Sequence, residues 1–282
     1  MTKHEEIDRL KRYVVNTVGE RNPFTASVRH REVRDYLEVS LNLLKVGTFR
    51  RHVFNWASVE GVNLILEIPG KKEGLLGLIG AHYDTVSGSP GADDNSSGLA
   101  VLLELGRCLS EEPPLHTTWL VAFDLEEWGW GGSKLLAQEM KQNHQRPSWM
   151  VSLEMLGYRR REAGTQSFPF PLKLFYPNRG DFIFLVGNTR ARQLISSMRR
   201  AFKKAGTKTE RLIVPGNGWL IPPSRFSDQA AFWDIGVAGV MLTDTSWYRN
   251  PNTHTATDTV DTLDFEFMAE IVAGLFAFVH EA

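Results

Sequence analysis

The sequence predicts an α/β fold of three layers, with helices on both faces of a central mixed, mostly parallel sheet. Two observations carry this expectation. Short β-rich runs alternate with longer segments of helical periodicity along most of the chain, as crossovers between buried parallel strands require. Residues able to do chemistry also cluster at the ends of those runs, where open α/β sheets gather their function. The 282 residues contain no repeat, low-complexity tract or convincing linker, so 1–282 reads as one domain.

The elements follow in order. Ile7, Leu10, Tyr13 and Val14 recur at helical spacing, as do Val33, Tyr36, Leu37, Leu41 and Leu44, which places two helices within residues 1–50. Gly47 is a suitable stop for the second. Strands are expected at 62–68, 75–84, 117–124, 149–155, 181–187 and 237–243, and helices at 96–109, 132–143 and 189–204. The stretch 158–180 is rich in Pro, Phe and Arg and is long for a connection, which suits an irregular pocket wall. The apolar C-terminal stretch from Leu263 carries acids at helical intervals, as a docked closing helix would.

Composition narrows the function. A net charge of −1 and a pI near 6.7 argue against nucleic acid as a partner, because phosphate binding needs a cationic excess. The one cysteine, Cys108, permits no internal disulfide and is expected to pack as a small apolar residue. No apolar run approaches the ~20 residues that span a bilayer, and none resembles a signal segment. No membrane partner and a cytoplasmic location are therefore expected, while the oligomeric state leaves no mark on the sequence. The cationic run from Arg192 to Arg211 reads first as a solvated helix face.

Five strand-end segments carry hard oxygen or imidazole donors. His82 and Asp84 follow one apolar run, Glu126 and Glu127 another, and Glu154 closes a third. His254 follows the last strand after a loop, and GADDNSSG (91–98) opens the helix after the His82 strand. Imidazole and carboxylate are the usual non-thiolate ligands of catalytic zinc. Two metals ~3.5–4 Å apart need five or six such donors, one carboxylate being shared. A further carboxylate must collect the proton of the attacking water and deliver it to the leaving amine. Glu126, beside Glu127 but facing another way on an extended backbone, suits that role as general base.

The strings that carry these residues also resemble a known family. AHYDTVSGSPGADDNSSGLAVLLELGR is similar to the first metal motif of the M28 zinc peptidases, the family of bacterial leucyl-type aminopeptidases. LEEWGWGGS resembles its glutamate-pair motif, VSLEMLGY its third-ligand segment and NPNTHTATDTVDTLD its closing histidine motif. The resemblance implies one zinc held by His82, Asp94 and Glu154 and a second by Asp94, Glu127 and His254, with cobalt or manganese as possible replacements. It implies that Asp84 orients His82 and that a cis peptide can follow Asp94, while Asp93, at the start of a helix, reads by its own chemistry as a cap or turn support. The implied activity is that of an aminopeptidase acting on peptides with a free N-terminus.

Three positions depart from the family pattern. The third ligand is usually Asp, and here it is Glu154. The family's Ser-Asp-His is Ser227, Asp228 and Gln229, and its Tyr before the closing His is Thr253, with Tyr248 the nearest substitute. These changes keep two alternatives open, glutaminyl-peptide cyclisation on the same scaffold and a catalytically weak metal-binding module. Asp228 reads equally as a helix cap or a support of the site, and Trp128 and Trp130 equally as pocket lining or core. Arg159, Arg160 and Arg161 read as loop solubility, and His116 and His144 as exposed.

Overall fold

In a computed structural model the described residues run from 3 to 281; Met1, Thr2 and Ala282, the outermost positions of the expected domain, lie outside the described residues. The chain opens with α1 (Lys3–Thr17) and α2 (Ser27–Leu43), then β1 (Thr48–Trp56), β2 (Val59–Ile68) and β3 (Lys72–His82). There follow α3 (Gly98–Glu111), β4 (His116–Phe123), α4 (Gly131–Gln142), β5 (Trp149–Glu154) and β6 (Ile183–Asn188). The last third holds α5 (Arg192–Lys204), β7 (Thr209–Val214), α6 (Gln229–Asp234), β8 (Ala238–Thr243) and α7 (Phe265–Glu281).

The strands form one sheet in the order β1-β2-β4-β3-β5-β8-β6-β7. The central strands β4, β3, β5 and β8 run parallel, β6 and β7 are parallel to each other, and the remaining pairings are antiparallel. The sheet is thus mixed and mostly parallel, as expected.

The two-residue period of a strand sorts its side chains onto two faces. On one face Leu64, Leu66, Ile79, Ala81, Leu120 and Val151 pack against α1, α2, α3, α5 and α7. Their chain neighbours Ile65, Leu78, Val121 and Met150 pack on the other face, against Leu136 and Met140 of α4 and Phe232 beside β8. Burying each such side chain is worth about 1.5–3 kcal/mol, so this alternation drives the layering. Among the described residues no helix is long and apolar enough to cross a membrane.

The expected strands and helices lie within a few residues of the observed ones, and three elements emerge only in the structure. β1 and β7 are the two edge strands; β1 is broken by Arg50, Arg51 and His52, and β7 offers only the short apolar run Leu212, Ile213 and Val214. α6 has six residues, too few for a periodic signal. The stretch 158–180 is irregular, with one turn of 3-10 helix at Leu172–Leu174.

Two expectations are corrected. Arg159 is buried, not a solubilising loop residue: its guanidinium donates to Asp264 at 2.7 Å and Glu270 at 2.9 Å, pinning the segment after β5 to α7. His116 is likewise half-buried, not exposed.

Candidate metal centre

The parallel register sets β4, β3 and β5 side by side, so their carboxyl ends carry Glu126 and Glu127, His82, and Glu154 to one place. Asp94 enters from the turn before α3 and His254 from the loop after β8. The carboxylate of Asp94 lies between the two imidazoles. His82 Nε2 is 3.2 Å from Asp94 Oδ1, and His254 Nε2 is 2.9 Å from Asp94 Oδ2. Glu154 Oε1 lies 3.6 Å from His82 Nε2, and Glu127 Oε1 lies 3.3 Å from His254 Nε2. Two donor groups that share Asp94 therefore converge, one around His82 and one around His254. The ligand atoms of His82, Asp94 and Glu127 all fall within 4.8 Å of one another.

This donor set fits a divalent metal. Asp94 Oδ1 is buried with no hydrogen-bond partner, an arrangement that normally costs about 1–3 kcal/mol. Five carboxyl or imidazole groups lie together on the wall of a cleft, with no Lys or Arg among the described residues lining it. Burial and the neighbouring Asp94 push Glu127 up to about 7. Burial alone would lower His254, but contact with Asp94 and Glu127 outweighs it and raises the imidazole to about 10. Burial would raise Asp94, yet the facing imidazoles hold it well below the usual carboxylate range. Protons on the imidazoles thus supply the positive charge that the carboxylates demand, a demand a cation meets as well.

The surrounding groups hold these donors in place. Asp84 accepts the backbone N–H groups of Glu126 at 3.0 Å and Glu127 at 3.1 Å, while its own carbonyl faces His82 Nδ1 at 3.2 Å. It therefore ties two donor-bearing strand ends together. Asp93 accepts from Gly157 N and Asn250 Nδ2, bracing the turn and the His254 loop at once. The Asp94–Asn95 peptide is cis. Leu125, Met155 and His254 all take the left-handed backbone region, a strained state for non-glycine residues that tends to concentrate at functional sites.

Glu126 is buried to 8% exposure on the wall of the same cleft. Burial pushes its carboxyl well above the ordinary value, with Glu154 and Glu127 adding to the rise and His82 opposing it.

Sequence reasoning missed two supporting residues. Ser227 donates to Glu154 Oε2 at 2.6 Å and also bonds Ser152. Asp258 accepts from the backbone of Asp93 at 2.8 Å and Asp94 at 3.0 Å. The Ser227 run and the segment behind His254 were visible as strings, but their targets lie 73 and 165 positions away.

The departures resolve individually. Thr253 donates to the carbonyl of Asn250, and Tyr248 lines the cleft. Asp228 stands at the head of α6 but makes no capping bond, and both its oxygens are buried without a partner. Trp130 lines the cleft, whereas Trp128 is exposed and packs edge-on against Phe24.

Gly91 takes a left-handed φ of 63°, and a Cβ there would sit 2.4 Å from the Asp94 carbonyl oxygen and 2.5 Å from Thr85 Cγ2. Gly91→Ala is therefore expected to destabilise the fold by about 1–3 kcal/mol through backbone strain and overpacking. Urea unfolding curves of the two proteins would check this, and equal midpoints would refute the crowding.

The cleft measures about 880 Å3 and is walled by Phe168, Leu172, Phe184, Met241, Trp247 and Tyr248 beside the carboxylates. The cleft thus sets an apolar wall beside a cluster of carboxylates and imidazoles, and comparisons with known proteins place the chain. A protein of Escherichia coli, described as uncharacterized protein YfbL, is 35% identical over 225 residues, covering 76% of this chain and 69% of its own. The crystal structure of the Legionella pneumophila LapA aminopeptidase superposes with a TM-score of 0.74 at 18% identity, over 99% of this chain and 74% of that one. A Zn-dependent exopeptidase from Parabacteroides distasonis superposes at 0.71 with 17% identity, over 98% of each chain. Residues 63–279 match the model of peptidase family M28, a span that holds every donor described above, and the chain belongs to that family.

Proposed function

We propose that this chain is a zinc-dependent aminopeptidase that hydrolyses the first residue from peptides with a free N-terminus. The observation that carries this reading is the charge of the cleft. Its acidic and imidazole walls are the carboxyls of Asp94, Glu126, Glu127 and Glu154 with His254, and among the described residues no Lys or Arg lines it. A carboxypeptidase needs a cation to seat the terminal carboxylate of its substrate, usually an arginine fork. A free ammonium group, in contrast, finds partners here in Glu127 and Glu154. The aminopeptidase and exopeptidase names of the structural neighbours point the same way.

In this reading His82, Asp94 and Glu154 would hold one zinc, and Asp94, Glu127 and His254 a second. Bound zinc supplies Lewis-acid polarisation of the scissile carbonyl and makes a water more acidic. Glu126 accepts the proton of the attacking water at a carboxylate oxygen and returns it to the leaving amine nitrogen. Asp84 keeps Glu126 and Glu127 in register by holding their backbone N–H groups. The aromatic wall excludes water from the reacting centre and receives the side chain of the first residue.

One peptide in free, N-acetylated and C-amidated forms, incubated with zinc or cobalt and read by mass spectrometry, tests the proposal. Loss of single N-terminal residues from the free and amidated forms, with the acetylated form intact, is expected. Cleavage of the acetylated form, or conversion of an N-terminal glutamine to pyroglutamate in place of cleavage, would overturn it.

A further inference from the structure

Residues 17–30, which end the first helix, link it to the second and open the second, precede the span matched by the family model, yet they contact the end of the His82 strand, the Asp94 turn and the foot of the Glu126 loop. Arg21 is fully buried, and no carboxylate accepts from it. Its guanidinium donates instead to five backbone carbonyls. Nε reaches Tyr83 O at 2.8 Å, next to His82, while Nη1 and Nη2 reach Pro90 O and Gly91 O, both at 3.0 Å, on the turn that presents Asp94. The remaining two bonds go to Thr17 O and Gly19 O and fasten the fork to its own segment. The backbone N–H of Arg21 adds a bond to Thr85 Oγ1 at 2.8 Å.

Two more contacts continue the pattern. His30 Nε2 lies 2.8 Å from Asp124 Oδ1, and Asp124 Oδ2 accepts from Val62 N, so the base of the Glu126 loop is fixed from α2. His30 also stacks on Tyr83 with ring centres 5.1 Å apart. At the surface, Phe24 packs against Trp128, which follows Glu127, at 4.5 Å.

A buried arginine that satisfies its donors on backbone carbonyls locks those backbones more firmly than one paired with a mobile acid, because the planar fork fixes several directions at once. Its positive charge, with no carboxylate hydrogen-bonded to it, is offset instead by the nearby Asp94, Asp258 and Asp84. Gly91 leaves no room for slack, since an added Cβ would stand 2.8 Å from Arg21 Nη2.

We infer that the 17–30 segment is a clamp on the metal centre, in which Arg21 is a positioning residue that holds the His82 strand end and the Asp94 turn at ligand distance. The inference rests on the metal reading above. Groups that orient metal ligands from behind typically contribute 10–100-fold to affinity. Arg21→Met is therefore expected to weaken zinc binding, measured by competition with a chromogenic chelator, by about 10–100-fold. Val14→Ala, a core substitution on the same helical pair, is expected to lower the melting temperature with zinc affinity kept within about threefold.

Because coupling is reciprocal, a second measurement needs no variant. Zinc added to the metal-free chain should raise hydrogen-exchange protection of amides 17–30 more than that of α5, which packs on the same face but at the β6–β7 edge of the sheet. If Arg21→Met does not fold, Arg21→Lys, which keeps the charge but loses the fork, replaces it in the affinity comparison, and the exchange measurement stands alone. Equal zinc affinity in wild type and Arg21 variant, or protection of 17–30 no greater than that of α5, overturns the clamp alone. A wild-type chain that takes up no zinc overturns the metal reading and the clamp with it.

Discussion

Glu126→Gln is expected to lower kcat by about 100- to 10,000-fold, the range of general acid–base catalysis, with zinc content, fold and KM close to wild type. The glutamine amide keeps the volume of the carboxyl and cannot take a proton from water. Its backbone position survives the change, because Asp84 holds the N–H of residue 126 whatever its side chain. The neighbouring Glu127 makes a contrasting case. Its carboxylate faces His254 at 3.3 Å, so Glu127→Gln should lose metal and activity together. Steady-state kinetics alongside metal analysis separate the two outcomes. Full activity of Glu126→Gln would remove Glu126 as the base. Loss of zinc in proportion to loss of rate would make it a ligand instead.

His82, Glu126, Glu127 and Glu154 were legible because each closes or follows an apolar run, whereas Asp94 and His254 lie in polar loops and were marked by the resemblance to the family's motifs. Hydrophobic period and strand-end chemistry act over ten residues, and both are written in adjacent letters. The same holds for the sheet interior, where β3, β4, β5 and β8 read as continuous apolar runs because both their faces are covered. The edge strands β1 and β7 escaped notice because a half-solvated strand needs no such run. Arg159 misled for a related reason. In a string of three arginines nothing local marks the one whose partners, Asp264 and Glu270, lie 105 and 111 positions away. Arg21 and Asp258 are illegible in the same sense: each acts on backbone groups of remote turns, and a backbone carbonyl has no letter of its own. Thus the donors of the site can be read from sequence, while what holds them at ligand distance is tertiary.

Removing the metal should change both the height and the pH dependence of stability. In the metal-free protein burial raises Glu127, Asp228 and Asp258 to about 7 each. His254, which burial would lower, is carried to about 10 by Asp94 and Glu127. All four groups bind a proton more tightly folded than unfolded. Their stabilisation is therefore complete below their unfolded values and is lost as pH rises through the folded ones. For the three carboxyls that window runs from about 4 to 7, and for His254 from about 6.5 to 10. Asp94 has the opposite sign, since its folded value is depressed, and its contribution disappears only in strong acid. The metal-free chain should consequently lose stability between about pH 5 and pH 8. Zinc gains over the same interval, because its ligands must shed those protons before they can bind. Free zinc at a thousand times its Kd stabilises by about 4 kcal/mol. At roughly 2–4 °C per kcal/mol for large domains, that is a gap of about 8–16 °C between loaded and chelated protein. The gap should widen from pH 5 to pH 8 in thermal melts with and without chelator. A gap that narrows with pH would mean that the protons held by Glu127 and His254 do not compete with the metal, and that the ligand set is wrong.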